Sequence, residues 1–181
     1  FIDEENTPVL DMMIQFSTQE ADSFMTDYIH MPFNLRKLKR CYTKWQEQLD
    51  GKGWNMLYIE NHDHPRMVSR YGSEQYQKES AKMLAVSYLF QKGTPFIYQG
   101  QEIGMTNWYP SDPEMYEDVQ TRWQYFNVAT NKSPEKRLKR LWDGSRDSAR
   151  TPVQWSDEAN AGFTTGTPWF YVNENYPQIN V

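Results

Sequence analysis

Asn61-His62-Asp63 sets an amide, an imidazole and a carboxylate in consecutive positions, separated only by Glu60 from the largely apolar run Asn55-Met56-Leu57-Tyr58-Ile59. At the carboxyl end of a buried strand, a carboxylate and an imidazole so placed reach one bound ligand together. Arg66 or His62 lies close enough in sequence to keep Asp63 ionised. The same residues also fit a plain turn, in which Asn and Asp satisfy backbone amides and both histidines face solvent. A metal site is the weaker reading, because His62 and His64 are two positions apart in a loop and no third ligand completes the set that zinc needs. A second polar cluster runs from Ser145 to Trp155 and places Arg146 and Arg150 four positions apart among hydroxyl, amide and indole groups. Guanidinium groups donate several fixed hydrogen bonds, which suits vicinal hydroxyls or carboxylates, although arginines in loops also serve as surface ion pairs. No Ser or Cys sits in a nucleophile elbow and no glycine-rich phosphate loop is present, so those reaction classes drop out.

Such groups need a scaffold that aims them at one point, and the chain supplies an alternating one. Leu10–Phe16 has the length of a buried strand, and Asn34 can cap a helix over 34–49 with Leu35, Leu38, Tyr42, Trp45 and Leu49 on one stripe. Asn55–Ile59 is the next strand, Gly72-Ser73 opens a second helix through about Phe90, and Pro95–Tyr98 is a third strand. Strand, helix, strand, helix, strand with long connections is the pattern of a parallel α/β sheet. Its ligand side is the carboxyl end of the strands, here the loops 17–33, 60–72 and 99 onward. From Asn107 to Val181 the alternation is lost, apart from a helix around Ser133–Leu141, and this stretch reads as an elaborate strand-to-helix insertion.

Composition narrows the partners. The 181 residues fall short of the ~250 that a complete (β/α)8 barrel takes. Lys plus Arg number 19 against 24 Asp plus Glu, so no basic excess exists to hold a nucleic-acid backbone. With hydrophobic residues at 38%, mean hydropathy −0.88 and no apolar run of about 18 residues, no membrane span is expected. With one cysteine, Cys41, the 181 residues form no internal disulfide, which leaves stability to packing. Aromatic residues reach 15%, enough for a core and also for flat faces that suit the C–H side of a sugar ring.

Three segments carry a resemblance: YIENHDHPRMVSR from Tyr58, KMLAVSYLFQKGTPFIYQGQEIGMTN, and SRDSARTPVQWSDEANAGFTTGTPWFYVNENYPQINV. In this order and spacing the chain resembles the α-amylase superfamily of glycoside hydrolases (family 13), in its oligo-1,6-glucosidase branch. The resemblance implies retaining glycosidases on a (β/α)8 TIM barrel, and makes the three strands here the sixth, seventh and eighth. It also implies two parts of one catalytic domain: strands 6 to 8 with their helices over 1–106, and a long insertion after strand 8 over 107–181.

Residue by residue, Asp63 matches the family's third catalytic carboxylate, and His62 its neighbour on the sugar in the subsite where cleavage occurs. Arg150 matches the arginine on the far edge of that sugar, and Arg146 is a neighbouring substrate contact. The nucleophile and acid/base of the family come from its fourth and fifth strands, which places them upstream of Phe1. Gln101 and Gln120 stand where the family often has Glu, and His64 where Gln is frequent. The resemblance implies a cytoplasmic α-glucosidase that needs no cofactor or metal and acts on short α-glucosides. Its partners are a small oligosaccharide, the remainder of the barrel and a C-terminal domain. Dextran glucosidase, trehalose-6-phosphate hydrolase and sucrose isomerase share these motifs. A non-catalytic barrel relative serving binding or assembly is the alternative from another class, as is a self-standing sugar-binding module with Trp108, Trp155 and Trp169 as platforms.

Overall fold

The computed structural model describes residues 9–19, 21–24 and 26–181. In chain order the regular elements are β1 (Met12–Met13), β2 (Ser23–Phe24), β3 (Thr26–His30), α1 (Leu35–Leu49), β4 (Trp54–Leu57), α2 (Met67–Tyr71), α3 (Gln77–Leu89), β5 (Thr94–Pro95), α4 (Val119–Trp123) and α5 (Pro134–Gly144). Strand β4 is central and parallel to both neighbours, with Met12 opposite Trp54 and Met56 opposite Thr94. The expected strand order and direction are present, but the strands are shorter than their apolar runs, and β5 shares only Pro95 with the third strand expected over Pro95–Tyr98. Both β1 and β5 have a single partner in the three-stranded sheet, so one side of each ladder has no hydrogen-bonding mate.

Helix α1 begins where the cap predicts: Asn34 Oδ1 accepts from the Lys37 amide at 3.2 Å. Its apolar stripe is narrower than the five positions foreseen, because Leu38 and Leu49 are buried while Leu35 is 58% exposed. The segment expected as one helix from Gly72 divides. A 3-10 turn over Glu74–Tyr76 precedes α3, and the short α2 rises inside what the pattern marks as loop. Its Met67, Val68 and Tyr71 point inward and join Leu38, Leu57, Ile59, Leu84 and Tyr88 in the core between sheet and helices. Five residues are too few to show a helical period. Gly72 permits the break, since a Cβ there would lie 2.8 Å from the Val68 carbonyl oxygen and 2.7 Å from Ser80 Cβ.

A second core gathers Tyr28, Trp108, Tyr116, Leu141 and Phe170 under the long C-terminal stretch. Here α5 packs on β3 so closely that a Cβ on Gly144 would lie 2.6 Å from the Asp27 carbonyl oxygen and 2.8 Å from Tyr28 Cα. The turn that follows Gly144 carries Arg146 and Arg150, so this contact fixes where both arginines begin.

The antiparallel pair β2 and β3 is tied to α2 by a buried ion pair. Arg70 Nε donates to both Asp22 carboxylate oxygens at 3.0 and 3.1 Å, Arg70 Nη2 adds 2.5 Å to Oδ1, and Tyr71 Oη donates to Oδ1 at 3.1 Å. Burial alone would push the Asp22 carboxyl up; hydrogen bonds and charge from His30 and Arg70 outweigh it and bring it down to about 2. A carboxyl depressed from 3.8 adds stability that is complete above the unfolded value and is lost as pH falls through about 2. We expect Asp22→Asn, made in the full-length protein, to cost about 2 kcal/mol at pH 7. The gap between variant and parent, followed by denaturant unfolding, should close as pH falls from 4 toward about 2. A gap unchanged across that range would remove the ion pair from the stability of the fold.

Candidate active site

Beyond β4 the chain turns sharply through Glu60–Pro65, and Asn61 shapes the turn. Its Oδ1 accepts from the Asp63 amide at 2.9 Å and bonds His64 Nδ1 at 2.9 Å. Because an amide oxygen only accepts, Nδ1 carries the proton. Burial, aided by the charge of Arg70, lowers His64 to about 4, so the ring is neutral near pH 7 and acts as a fixed donor. The turn leaves the Asp63 side chain half-exposed above the strand end, with His62 Nε2 3.3 Å from its Oδ2.

Two guanidinium groups meet the other oxygen. Arg150 Nη2 donates to Asp63 Oδ1 at 3.1 Å and Arg146 Nη1 reaches the same atom at 3.4 Å. Arg150 Nε also donates to the His62 carbonyl at 3.0 Å, which pins its fork against the turn. Thus the two polar clusters of the sequence, 87 and 83 positions apart at their contacts, converge on one carboxylate. His62, Asp63, Arg146 and Arg150 all lie together. The pattern separates from a plain solvated turn because the chain brings two cations from a distant segment onto a partly exposed anion.

Of the two neighbours expected beside Asp63, His62 lies 3.3 Å away and Arg66 turns elsewhere. It is fully buried and donates from Nη1 to Glu60 Oε1 at 2.6 Å and to the Gln99 carbonyl at 2.8 Å. Its Nε reaches the Ser148 carbonyl at 3.3 Å and its Nη2 the Ala149 carbonyl at 3.5 Å, while its own amide donates to Asn107 Oδ1 at 2.7 Å. One side chain therefore joins the end of β4, the segment after β5 and the turn ahead of Arg150. Gly100 makes room for it: with φ of +86° and no Cβ, it lets Arg66 Nη2 lie 3.2 Å from where a Cβ would stand. Glu60 is consequently sequestered and takes no part at the exposed site.

The residue that sequence reasoning missed is Asp118. Its Oδ1 accepts from Arg146 Nη2 at 2.5 Å and lies 3.7 Å from Arg150 Nη1. The other oxygen caps α4, accepting from the Thr121 amide and hydroxyl, each at 2.8 Å. Burial acts to raise the Asp118 carboxyl, but the Thr121 bonds and Arg146 prevail and hold it below the usual carboxylate range. The buried Asp147 fixes its backbone, with Oδ2 accepting from the Glu117 and Asp118 amides at 2.8 and 2.9 Å. The available signal was an Asp three positions before a Thr at a helix start. Trp108 is no platform: it is 4% exposed and stacked on Tyr171, whereas Trp155 and Trp169 are open to solvent. Among the described residues, no three His, Cys, Asp or Glu side chains converge as a metal set, and no helix is long and apolar enough to cross a membrane.

Comparison with known proteins points in one direction. The family model described as "Alpha amylase, catalytic domain" matches residues 4–181. An oligo-1,6-glucosidase of Parageobacillus thermoglucosidasius is 47% identical over 176 residues, which is 95% of this chain and 31% of that protein. A trehalose-6-phosphate hydrolase of Bacillus subtilis is 45% identical over 82% of the chain and 27% of its own length. Among solved structures, the trehalose-6-phosphate hydrolase of Bacillus licheniformis superposes with a TM-score of 0.90 at 44% identity, covering 95% of this chain and 32% of that one. The trehalulose synthase of Pseudomonas mesoacidophila gives 0.87 at 39% identity, over 94% and 32%. The chain thus spans about a third of the length of the curated relatives it matches.

The Arg66 geometry generates a specific expectation. Removing one partner of a buried ion pair leaves the other charge uncompensated and costs about 3–5 kcal/mol, whereas replacing both by apolar groups is often near neutral. In the full-length protein, Arg66→Met should therefore be severely destabilised, and Arg66→Met with Glu60→Met should regain much of the loss in a denaturant titration. A double variant no more stable than Arg66→Met would show that the backbone carbonyls, and not Glu60, set the cost.

Proposed function

We propose, since this chain belongs to the alpha-amylase catalytic-domain family, that it forms strands six to eight of a (β/α)8 barrel in a retaining α-glucosidase. In this reading 1–106 supplies those strands and their helices, and 107–181 is the insertion after strand eight. The observation that carries the reading is the half-exposed Asp63 at the carboxyl end of β4, gripped by Arg150 from 87 positions away. A carboxylate at that place can bind two neighbouring ring hydroxyls, and a guanidinium beside it can hold the far edge of the same ring. As the ring flattens toward an oxocarbenium ion, its hydroxyls become better donors, so Asp63 binds the transition state more tightly than the ground state. His62, 3.3 Å from Asp63 Oδ2, adds a donor to the same sugar.

Retaining hydrolysis also needs a nucleophile and an acid/base carboxylate about 5–5.5 Å apart. We assign these to upstream strands of the barrel. Supporting this, Ile97 is 57% exposed beside β5, and Met83, Val86 and Phe90 on and after α3 are 50%, 58% and 85% exposed. Apolar surface of this kind is what the remainder of a closed barrel and a following C-terminal domain would cover. The substrate is a short α-glucoside, an isomalto-oligosaccharide cleaved from its non-reducing end in the cytoplasm, without cofactor. Likeness to a trehalose-6-phosphate hydrolase at 44% identity favours a second reading, in which the same site receives a phosphorylated disaccharide.

The test is turnover by the full-length protein on isomaltose and on trehalose 6-phosphate. Asp63→Asn should lower kcat by about 100-fold or more while KM moves far less, because the lost contact strengthens in the transition state. The 181 residues alone should show no turnover. Near-normal kcat in Asp63→Asn would remove Asp63 from catalysis, and robust hydrolysis by the isolated chain would overturn the upstream assignment.

A further inference from the structure

Asp63 Oδ1 accepts from two guanidinium groups at once, Arg150 at 3.1 Å and Arg146 at 3.4 Å. An ionised carboxylate has about four acceptor positions over two oxygens, and a sugar that donates two hydroxyls must take some of them. A guanidinium left free to settle on Asp63 competes with the substrate for those positions. Arg146 is not left free. Its shorter contact, 2.5 Å, is to Asp118, which is 6% exposed and immobilised through its second oxygen by Thr121. Thr121 is fully buried and in turn bonded to Tyr28 Oη at 2.9 Å and Ser145 Oγ at 3.0 Å, so the anchor reaches β3 and the start of the arginine turn.

On this basis we infer that Asp118 is a positioning residue: it holds Arg146 back from Asp63 so that the carboxylate can exchange a guanidinium for substrate hydroxyls. The inference rests on the α-glucosidase reading and deepens it. Asp118 touches no reacting atom; it acts through Arg146. Charge supports the division of labour. Both carboxylates face both cations, but the short contacts divide them: Arg146 is 2.5 Å from Asp118 against 3.4 Å from Asp63, and Arg150 is 3.1 Å from Asp63 against 3.7 Å from Asp118. Arg146 Nε is buried without a hydrogen-bond partner, so the whole hold on this side chain comes from its two terminal nitrogens.

The test is a double-variant cycle in the full-length enzyme. Asp118→Asn keeps the shape and an oxygen for Thr121 but removes the charge. It should lower kcat/KM about tenfold with Arg146 present. In an Arg146→Gln background the same change should cost little further, because the guanidinium that Asp118 holds at 2.5 Å is gone and only its 3.7 Å contact to Arg150 remains. A merely structural cap would cost the same in both backgrounds, and that result with an active wild type would overturn the inference alone. Absence of α-glucoside turnover in the wild type would overturn the underlying reading and this inference with it. Should Asp118→Asn fail to fold, Thr121→Val loosens the same anchor: it removes the hydroxyl's bonds to Asp118, Tyr28 and Ser145 and keeps the amide bond to Asp118. It should lower kcat/KM about threefold with Arg146 present and little in Arg146→Gln; equal losses in both would again overturn the inference.

Discussion

The buried contact between Arg66 and Glu60 is the constraint on which the site depends. Neither side chain is more than 3% exposed, and their 2.6 Å pair sits where three loops meet. Taking two charges out of water costs several kcal/mol per ion, and attraction repays this only when the remaining donors are also satisfied. Carbonyls of Gln99, Ser148 and Ala149 satisfy them here. Two of those carbonyls close the short 3-10 helix Arg146–Ala149 and the third follows β5, so the guanidinium ties separate segments together at the carboxyl ends of β4 and β5. Stability and function share this feature. The energy that closes the polar core is also what sets the Arg150 turn above Asp63.

From that hub the functional groups follow by short covalent paths. Asp63 lies three residues before Arg66, and Arg150 one residue after Ala149. Each is placed by a rigid neighbour and not by its own side-chain preference, which allows an exposed carboxylate to stay in register with a distant arginine. A second anchor, the Asp118–Thr121 cap on α4, governs Arg146 from the other side. The site is thus a balance of anions and cations in which Asp63 is the solvent-open anion and Asp118 the buried one, a condition suited to binding an uncharged, hydroxyl-rich ligand. Its neighbours hold fixed dipoles and charges before any ligand arrives, the preorganisation that makes electrostatic stabilisation effective.

Much of the frame was readable in the residues, for reasons that differ by element. The Asn34 cap and the spacing of Leu38 and Leu49 announce α1 because both signals are local. Three apolar runs separated by helices announce a parallel sheet because no hairpin spans such lengths. What was not readable depends on contacts far apart in sequence. Arg66 sits three positions from Asp63 and reads as its partner; only the closed fold shows it turned inward to Glu60. Asp118 lies in a stretch without periodicity, so its cap was hidden among many polar residues. Strand lengths also differ, since Ile59 and Ile97 continue apolar runs beyond the points where the ladders end. Of the site, the residue types in 61–63 and 145–155 declared a polar pocket, and the resemblance to a known family supplied roles that spacing alone leaves open.

The most direct measurement is a crystal structure of the full-length protein with glucose or a non-hydrolysable α-glucoside bound. One ring should lie above the end of β4, with Asp63 accepting from two adjacent hydroxyls and Arg150 on the far edge. Arg146 should then be drawn to Asp118 and have left Asp63. A ring bound elsewhere, or an Asp63 still held by both guanidinium groups while the sugar is in place, would contradict this arrangement.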